Sequence, residues 1–154
     1  MEFSYDRTDK WSILEYSKKL LGKSLEEAVA PDVIDPGKGK GQLGQLVETY
    51  FFGIDNNNKQ EADFSEAGLE LKVTPLKELK DKALAIKERL VCTMINYSED
   101  TVKPFEESHI YTKCAYMLIP FYLHKKGVPV QKLKFLYDIL WQIPPEDLQI
   151  MKQD

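Results

Sequence analysis

The stretch that decides the fold runs from residue 61 to residue 74 and reads EADFSEAGLELKVT. Its second half, LELKVT, alternates apolar and polar side chains, and this period of two predicts a strand with one buried face. Residues two apart on a strand lie roughly 6.5 Å apart on the same face, so Glu70 and Lys72 should project together. Asp63 precedes this strand, and the Ser and Gly between them favour a turn that would bring its carboxylate beside Glu70.

Two carboxylates and an ammonium group at one point would form a site for a divalent cation with an anion beside it. Ligands that are all oxygens favour a hard ion such as Mg²⁺. The reaction that such a site serves best is metal-assisted hydrolysis of a phosphodiester. The alternative is that Glu70 and Lys72 belong to an ordinary solvated strand face, and the spacing alone does not choose between the two.

Length and composition indicate one globular domain, which we expect to span residues 1–154. The net charge of −4 argues against a general nucleic-acid-binding protein, but it is compatible with an enzyme that contacts phosphates locally. No apolar run approaches the roughly 18 residues that cross a membrane, and residues 1–10 lack the apolar core of a signal peptide. We therefore expect a cytoplasmic protein with no membrane partner, in which Cys92 and Cys114 are buried thiols.

Helical periodicity and capping residues predict several helices. Asp9 can cap a helix in which Trp11 belongs to the apolar stripe, and Ser108 can cap a helix from His109. Residues 43–52 form another predicted helix, on which Glu48 falls close to the buried stripe. A carboxylate there either has a partner or a bound metal, or lies at the surface edge of the stripe. Two further helices are predicted at 25–30 and from Pro144 onward.

Apolar runs predict strands at residues 90–97, 117–123 and 134–143. Pro120 lies inside the second of these and indicates a bulge or an edge strand. Residues 77–89 are rich in lysine and predict a solvated hairpin or loop, with contact to a DNA backbone as the alternative. The glycines and lysines of residues 35–41 fit either a flexible connector or a contact with a DNA backbone.

Five stretches in one order carry a family resemblance. With them in place, the sequence resembles the nuclease core of the MutH mismatch-repair nicking enzymes, and still more the related Sau-type restriction endonucleases that cut GATC. The resemblance covers roughly residues 11–154, and its stretches are residues 39–48, 63–75, 87–91, 95–97 and 105–113. It implies an α/β fold of the restriction-endonuclease type, a mixed sheet flanked by helices.

The resemblance also implies a catalytic site. Asp63 and Glu70 would hold Mg²⁺, with the main-chain carbonyl of Leu71 completing the set, and Glu48 would support the metal directly or through water. Lys72 would orient the attacking water and help to deprotonate it.

Lys113 matches the second active-site lysine of the family and would steady the scissile phosphate. The implied function is that of a Mg²⁺-dependent type II restriction endonuclease, acting on double-stranded DNA at GATC in a bacterial restriction-modification system.

Proteins of this family continue well past the point that matches residue 154, so we expect a catalytic portion truncated at its carboxy-terminal side. The missing remainder of the same enzyme is then its partner, and the portion alone should bind metal but cut specific DNA poorly or not at all. Two alternatives stay open: a non-catalytic DNA-binding or regulatory domain of the same fold, and a structure-selective nuclease of the superfamily.

Overall fold

The structure is a computed structural model that describes residues 3–30, 34, 43–54, 62–90, 98 and 102–153. For residues 109, 110 and 114 it describes the backbone alone. Residues 91–97 of the strand predicted at 90–97 lie outside the described residues, as do the loop at 35–41 and Cys92. The predictions made for them, and the burial of Cys114, therefore stay predictions.

Within the described residues, a five-stranded mixed sheet is built around one central strand. Its strands, in chain order, are β1 (Glu70–Leu71), β2 (Thr74–Glu78), β3 (Leu84–Ile86), β4 (Tyr116–Leu123) and β5 (Phe135–Gln142). β4 lies in the middle, with β1 and β2 parallel to it on one side and β5 antiparallel on the other. β3 is antiparallel to β2 and completes a hairpin, as residues 77–89 predicted.

β1 and β2 are two pieces of one strand, since Leu71 pairs with Leu118 and Thr74 with Phe121 in the same register. The break between them faces Pro120 of β4. Lys72 donates its N–H to the Leu118 carbonyl at 2.9 Å, and in a parallel ladder its own carbonyl would accept from residue 120. Proline has no N–H to give, so this ladder bond cannot form. Pro120 therefore lies neither on an edge nor at the bulge, which falls one residue later, between Phe121 and Tyr122.

The helices follow their predicted caps. Their bounds are α1 (Lys10–Ser17), α2 (Leu25–Ala28), α3 (Leu43–Leu46), α4 (His109–Cys114) and α5 (Pro145–Gln153). The Asp9 carboxylate accepts from the Trp11 amide, and the Ser108 hydroxyl accepts from the Tyr111 amide. The prediction that Trp11 belongs to a buried stripe is wrong, because 68% of Trp11 is exposed and Ile13 is the α1 residue that enters the core.

The prediction of a strand with only one buried face is also wrong. Glu70 and Thr74, on the supposed polar face, are 5% and 4% exposed, as buried as Leu71 at 4%. The alternation of apolar and polar residues along the strand cannot show whether other elements cover its polar face. α3 continues directly into a π-helix, Val47–Phe52, and its apolar residues pack into the same core as Leu69 and Leu71. The result is an α/β sandwich in which the β1 segment is enclosed on both sides.

Candidate active site

A tight turn brings Asp63 back to the start of β1. Phe64 and Leu69 exchange backbone hydrogen bonds of 2.9 and 3.2 Å, which closes the loop between them. Gly68 sits in this loop at a φ of +65°, a conformation that side chains with a Cβ rarely adopt. Asp63 Oδ2 then accepts the Leu71 N–H at 3.0 Å, so the predicted turn is confirmed and the carboxylate lies against the β1 backbone.

The Leu71 peptide faces this carboxylate rather than the sheet. Residues adjacent on a strand direct their backbone groups to opposite sides, and Lys72 points its N–H to β4. The N–H and carbonyl of Leu71 therefore face the outer edge of β1, on the side of Asp63. This is the geometry needed for that carbonyl to join a carboxylate in binding one cation.

Glu70 is a buried carboxylate with an unused oxygen. Among the described residues, its Oε2 is shielded from solvent and has no hydrogen-bond partner. Lys113 of α4 forms an ion pair with it, and the Lys113 Nζ lies 3.5 Å from that oxygen. A buried carboxylate oxygen without a hydrogen bond is costly, and a bound cation would be one way to offset that cost.

Lys72 is fixed through its backbone. Its N–H is bound to Leu118, and its carbonyl, which Pro120 cannot serve, accepts the Thr74 hydroxyl at 3.0 Å. The buried Thr74 side chain thus replaces the missing ladder bond. The half-buried Lys72 side chain leaves the strand at this break, and its charge acts on both Glu48 and Glu70.

Glu48 approaches from the π-helix on the opposite wall. π-Helical turns are rare and occur frequently at functional sites. The Glu48 carboxylate is half-buried and lies close enough to Asp63, Lys113 and Lys72 for all three charges to act on it. The structure therefore brings together all five residues that the sequence singled out.

Burial and like charge raise the pKa values of both glutamates. Burial raises the pKa of Glu48 to about 7, and the Asp63 charge adds to this, while the two lysines oppose it. Burial likewise raises the pKa of Glu70 to about 8, helped by a hydrogen bond with Asp63 and by its charge.

The donor set fits a hard divalent cation. Among the described residues, no three acidic, histidine or cysteine side chains are grouped closely enough to hold one ion. Two carboxylates and a main-chain carbonyl do not require such a trio. The unpartnered Glu70 oxygen, the Asp63 carboxylate and the Leu71 carbonyl offer only oxygen atoms, which Mg²⁺ prefers and soft metals do not.

Two surface clefts lie near this cluster. One, of about 540 Å³, lies between the turn that carries Asp63 and helix α4, and Lys10, Glu66 and Tyr111 contribute to its walls. The other, of about 800 Å³, is an apolar groove on the sheet face, lined by residues such as Ile119 and Trp141. None of the five site residues lines either cleft.

The mixed sheet flanked by helices, with acidic and lysine side chains at a broken strand, defines the restriction-endonuclease-like α/β class. The family model described as "DNA mismatch repair enzyme MutH" matches residues 52–154, and the chain belongs to this MutH family. The matched range contains Asp63, Glu70, Lys72 and Lys113, and it begins just after Glu48.

Individual relatives agree with this assignment. The chain is 33% identical over 147 residues to the type II restriction enzyme Sau3AI of Staphylococcus aureus, covering 94% of this chain and 29% of that protein. It is 27% identical over 146 residues to the DNA mismatch repair protein MutH of Shewanella baltica, covering 92% of this chain and 63% of that protein. It is 25% identical over 151 residues to MutH of Yersinia enterocolitica, covering 96% and 64%. The chain thus spans less than two thirds of the length of each of these relatives.

In the part of the chain that the structure describes, no helix is both long enough and apolar enough to cross a membrane.

Sequence reasoning missed the residues that support the site. Nothing in the alternation of residues 69–74 indicates that the Thr74 hydroxyl serves the Lys72 carbonyl. The signal that could have revealed it is Pro120, a residue without an N–H in a run that otherwise predicts a central strand. The π-helical turn at Glu48 leaves no mark that we can read in residues 43–52.

Proposed function

We propose that the protein is the catalytic portion of a Mg²⁺-dependent DNA endonuclease that hydrolyses phosphodiester bonds at GATC. The observation that carries this proposal is the convergence of Asp63, Glu70 and the Leu71 carbonyl beside two lysines. The similarity to a type II restriction enzyme favours a restriction endonuclease. The choice of GATC rests on the resemblance described from the sequence, since no residue of the site reads a base.

Asp63, Glu70 and the Leu71 carbonyl would hold the cation, and Glu48 would support it through water. When bound there, Mg²⁺ supplies positive charge for the phosphoryl oxygens and lowers the pKa of a coordinated water. The buried carboxylates contribute by being fixed in place beforehand, so no solvent has to reorganise as charge develops.

The two lysines perform different tasks in the proposed reaction. Lys113, held 3.5 Å from Glu70, would place its ammonium beside the scissile phosphate and offset its charge. Lys72, fixed by backbone bonds on both sides of its peptide, would orient the attacking water and help to remove its proton. An endonuclease of this kind needs no covalent intermediate on the protein.

Metal binding is the first test, because it does not require the chain to recognise DNA. Titration of the protein with Mg²⁺ by calorimetry at pH 8 should show binding that Glu70→Gln abolishes. Glu78→Gln is the matched control, since Glu78 is an exposed glutamate of β2 with the same side chain. Absence of Mg²⁺ binding by the unaltered protein would overturn the proposal.

Plasmid digestion with Mg²⁺ is the second test, using substrates with and without adenine methylation at GATC. Cleavage at GATC that Glu70→Ala and Lys72→Ala abolish, while DNA binding is retained, would support the proposal. Cleavage confined to branched or flapped substrates would favour a structure-selective nuclease. DNA binding without cleavage would favour a regulatory domain, or a portion that requires the remaining length of its relatives in order to cut. The same digestion with a protein extended to that length decides between these two.

A further inference from the structure

The carboxy-terminal end of the π-helix is held by donors from the beginning of the chain. The last carbonyls of any helix lack partners within the helix and must find them elsewhere. Here three side chains supply them in succession: Tyr16 to the Phe51 carbonyl at 2.7 Å, Tyr5 to the Phe52 carbonyl at 2.5 Å, and Arg7 to the Gly53 carbonyl at 2.8 Å. We call Tyr5, Arg7 and Tyr16 the amino-terminal clamp.

The segment that the clamp holds folds back onto the peptide of Glu48. The Glu48 carbonyl accepts from the amide of Gly53 and, at 2.8 Å, from that of Ile54. Gly53 makes this reversal at a φ of +69°, and a Cβ added there would meet the ring of Phe3 at 2.3 Å. Phe3 of the amino-terminal segment thus packs against Gly53, and the left-handed conformation of Gly53 allows the chain to bond back to the Glu48 carbonyl.

The clamp tyrosines also reach the opposite wall of the site. The rings of Tyr5 and Tyr16 stack with centroids 4.5 Å apart, and Tyr16 stacks on Phe51 at the same distance. Tyr5 and Phe52 both meet the ring of Phe64 edge-on, at 6.3 and 5.3 Å. Phe64 follows Asp63 directly, so one aromatic cluster joins the π-helix to the turn that carries the proposed metal ligand.

From these contacts we infer that the amino-terminal clamp consists of positioning residues, which hold the π-helical turn so that Glu48 faces Asp63. The catalytic part of this inference rests on the proposed function. The structural part, that the clamp keeps the π-helical turn in place, does not depend on it. A π-helix is a rarely adopted conformation, and three bonds to its carbonyls are a specific means of keeping it. Without them, the turn would be free to relax toward the commoner α-helical pattern and carry Glu48 away from its partners.

The experiment removes hydroxyl groups while keeping the rings. The variant is Tyr5→Phe with Tyr16→Phe, and the matched control is Tyr137→Phe, a tyrosine of β5 that is 56% exposed. Amide hydrogen exchange, resolved by residue, is followed in the metal-free protein at Gly53 and Ile54. The Ile143 amide, which donates to the Ala115 carbonyl at 3.1 Å and takes no part in the clamp, serves as the internal reference.

We expect exchange at Gly53 and Ile54 to accelerate roughly tenfold to a hundredfold in the double variant, because each net hydrogen bond accounts for up to about one factor of ten. Exchange at Ile143, and everywhere in the control, should stay unchanged. Unchanged exchange at Gly53 and Ile54 would overturn the inference. An equal acceleration at all three amides would overturn it as well, since it would mean general destabilisation. If the double variant fails to fold, Arg7→Ala is used in its place, because Arg7 is exposed. Faster exchange at Gly53 and Ile54 alone would then support the inference, and unchanged exchange at these two amides would overturn it.

Cleavage kinetics then test the catalytic meaning. We expect kcat to fall about tenfold in the double variant with little change in KM for DNA, because the clamp touches no proposed DNA contact. A rise in KM alone, or no change in kcat despite selective loss of protection, would refute the positioning role. If neither the unaltered protein nor a protein extended to the length of its relatives cuts DNA, the proposed function fails, while the exchange measurement still decides whether the clamp exists.

Discussion

Glu70→Gln should stabilise the metal-free protein at alkaline pH and remove its stabilisation by Mg²⁺. Glu70 is buried, and its pKa rises from 4.5 to about 8 because burial and Asp63 disfavour the charged form. Below about pH 4.5 the carboxyl is protonated in both the folded and the unfolded chain, so it carries no penalty. Between pH 4.5 and 8 the folded chain keeps a proton that the unfolded chain releases, and the free energy of unfolding therefore falls as pH rises.

The size of the effect follows from the two pKa values. Their difference corresponds to at most roughly 5 kcal/mol, at about 1.4 kcal/mol per pH unit. Glutamine has the same shape and stays neutral, so we expect Glu70→Gln to be about 2–3 kcal/mol more stable than the unaltered protein at pH 9. Near pH 4.5 the two proteins should differ by less than about 1 kcal/mol.

Urea unfolding at pH 4.5, 7 and 9 with EDTA measures this difference, and repeating it with Mg²⁺ measures the metal linkage. Saturating Mg²⁺ at a hundred times its Kd should add about 2.7 kcal/mol to the unaltered protein and nothing to the variant. The exposed Glu78→Gln control should show neither effect. A Glu70→Gln protein that gains no stability at pH 9, or that Mg²⁺ stabilises as well as before, would show that Glu70 is neither strained nor a ligand.

Three further predictions test single contacts. Lys113→Ala should raise the titration midpoint of the Glu70 carboxyl by about one pH unit, because the ammonium 3.5 Å away favours the charged form. Carbon-13 NMR measures this midpoint, and an unchanged midpoint would contradict the ion pair. Thr74→Val should lower the free energy of unfolding by about 1–3 kcal/mol, because it leaves the Lys72 carbonyl unserved, whereas Thr74→Ser should recover most of that loss in the same urea titration. Gly53→Ala should lower Tm by several degrees in calorimetry, since both its φ of +69° and the aromatic ring 2.3 Å from the added Cβ oppose a side chain; a Tm equal to that of the unaltered protein would refute this.

The sequence predicted the site better than the surroundings of the site. Two turn residues and a period of two were enough to place Asp63 beside Glu70, because a short loop leaves the chain few ways to return. The same period misjudged the polar face of the strand. Burial of Glu70 depends on which elements pack over it, and that is a long-range property that no window of fourteen residues contains.

The helix at Glu48 shows a second limit of sequence reasoning. Apolar spacing predicted a helix over residues 43–52 correctly, but α- and π-helical turns differ by one residue in the hydrogen-bond ladder and not in the apolar residues they bury. The π-helical form depends on carbonyl partners some thirty-five to forty-seven positions away in the chain. Local propensity cannot register such partners, although an amino-terminal segment rich in tyrosine is consistent with them.

The Asp63 carboxylate has a second effect, which concerns the solubility of the protein. A strand at the rim of a sheet offers unpaired amides that recruit strands from other molecules, and such edges drive aggregation. Asp63 occupies the Leu71 amide at that rim and places a negative charge where a neighbouring chain would have to pair. A residue proposed as a cation ligand would therefore also oppose pairing between copies of the protein, and replacing it by an apolar side chain would remove both roles at once.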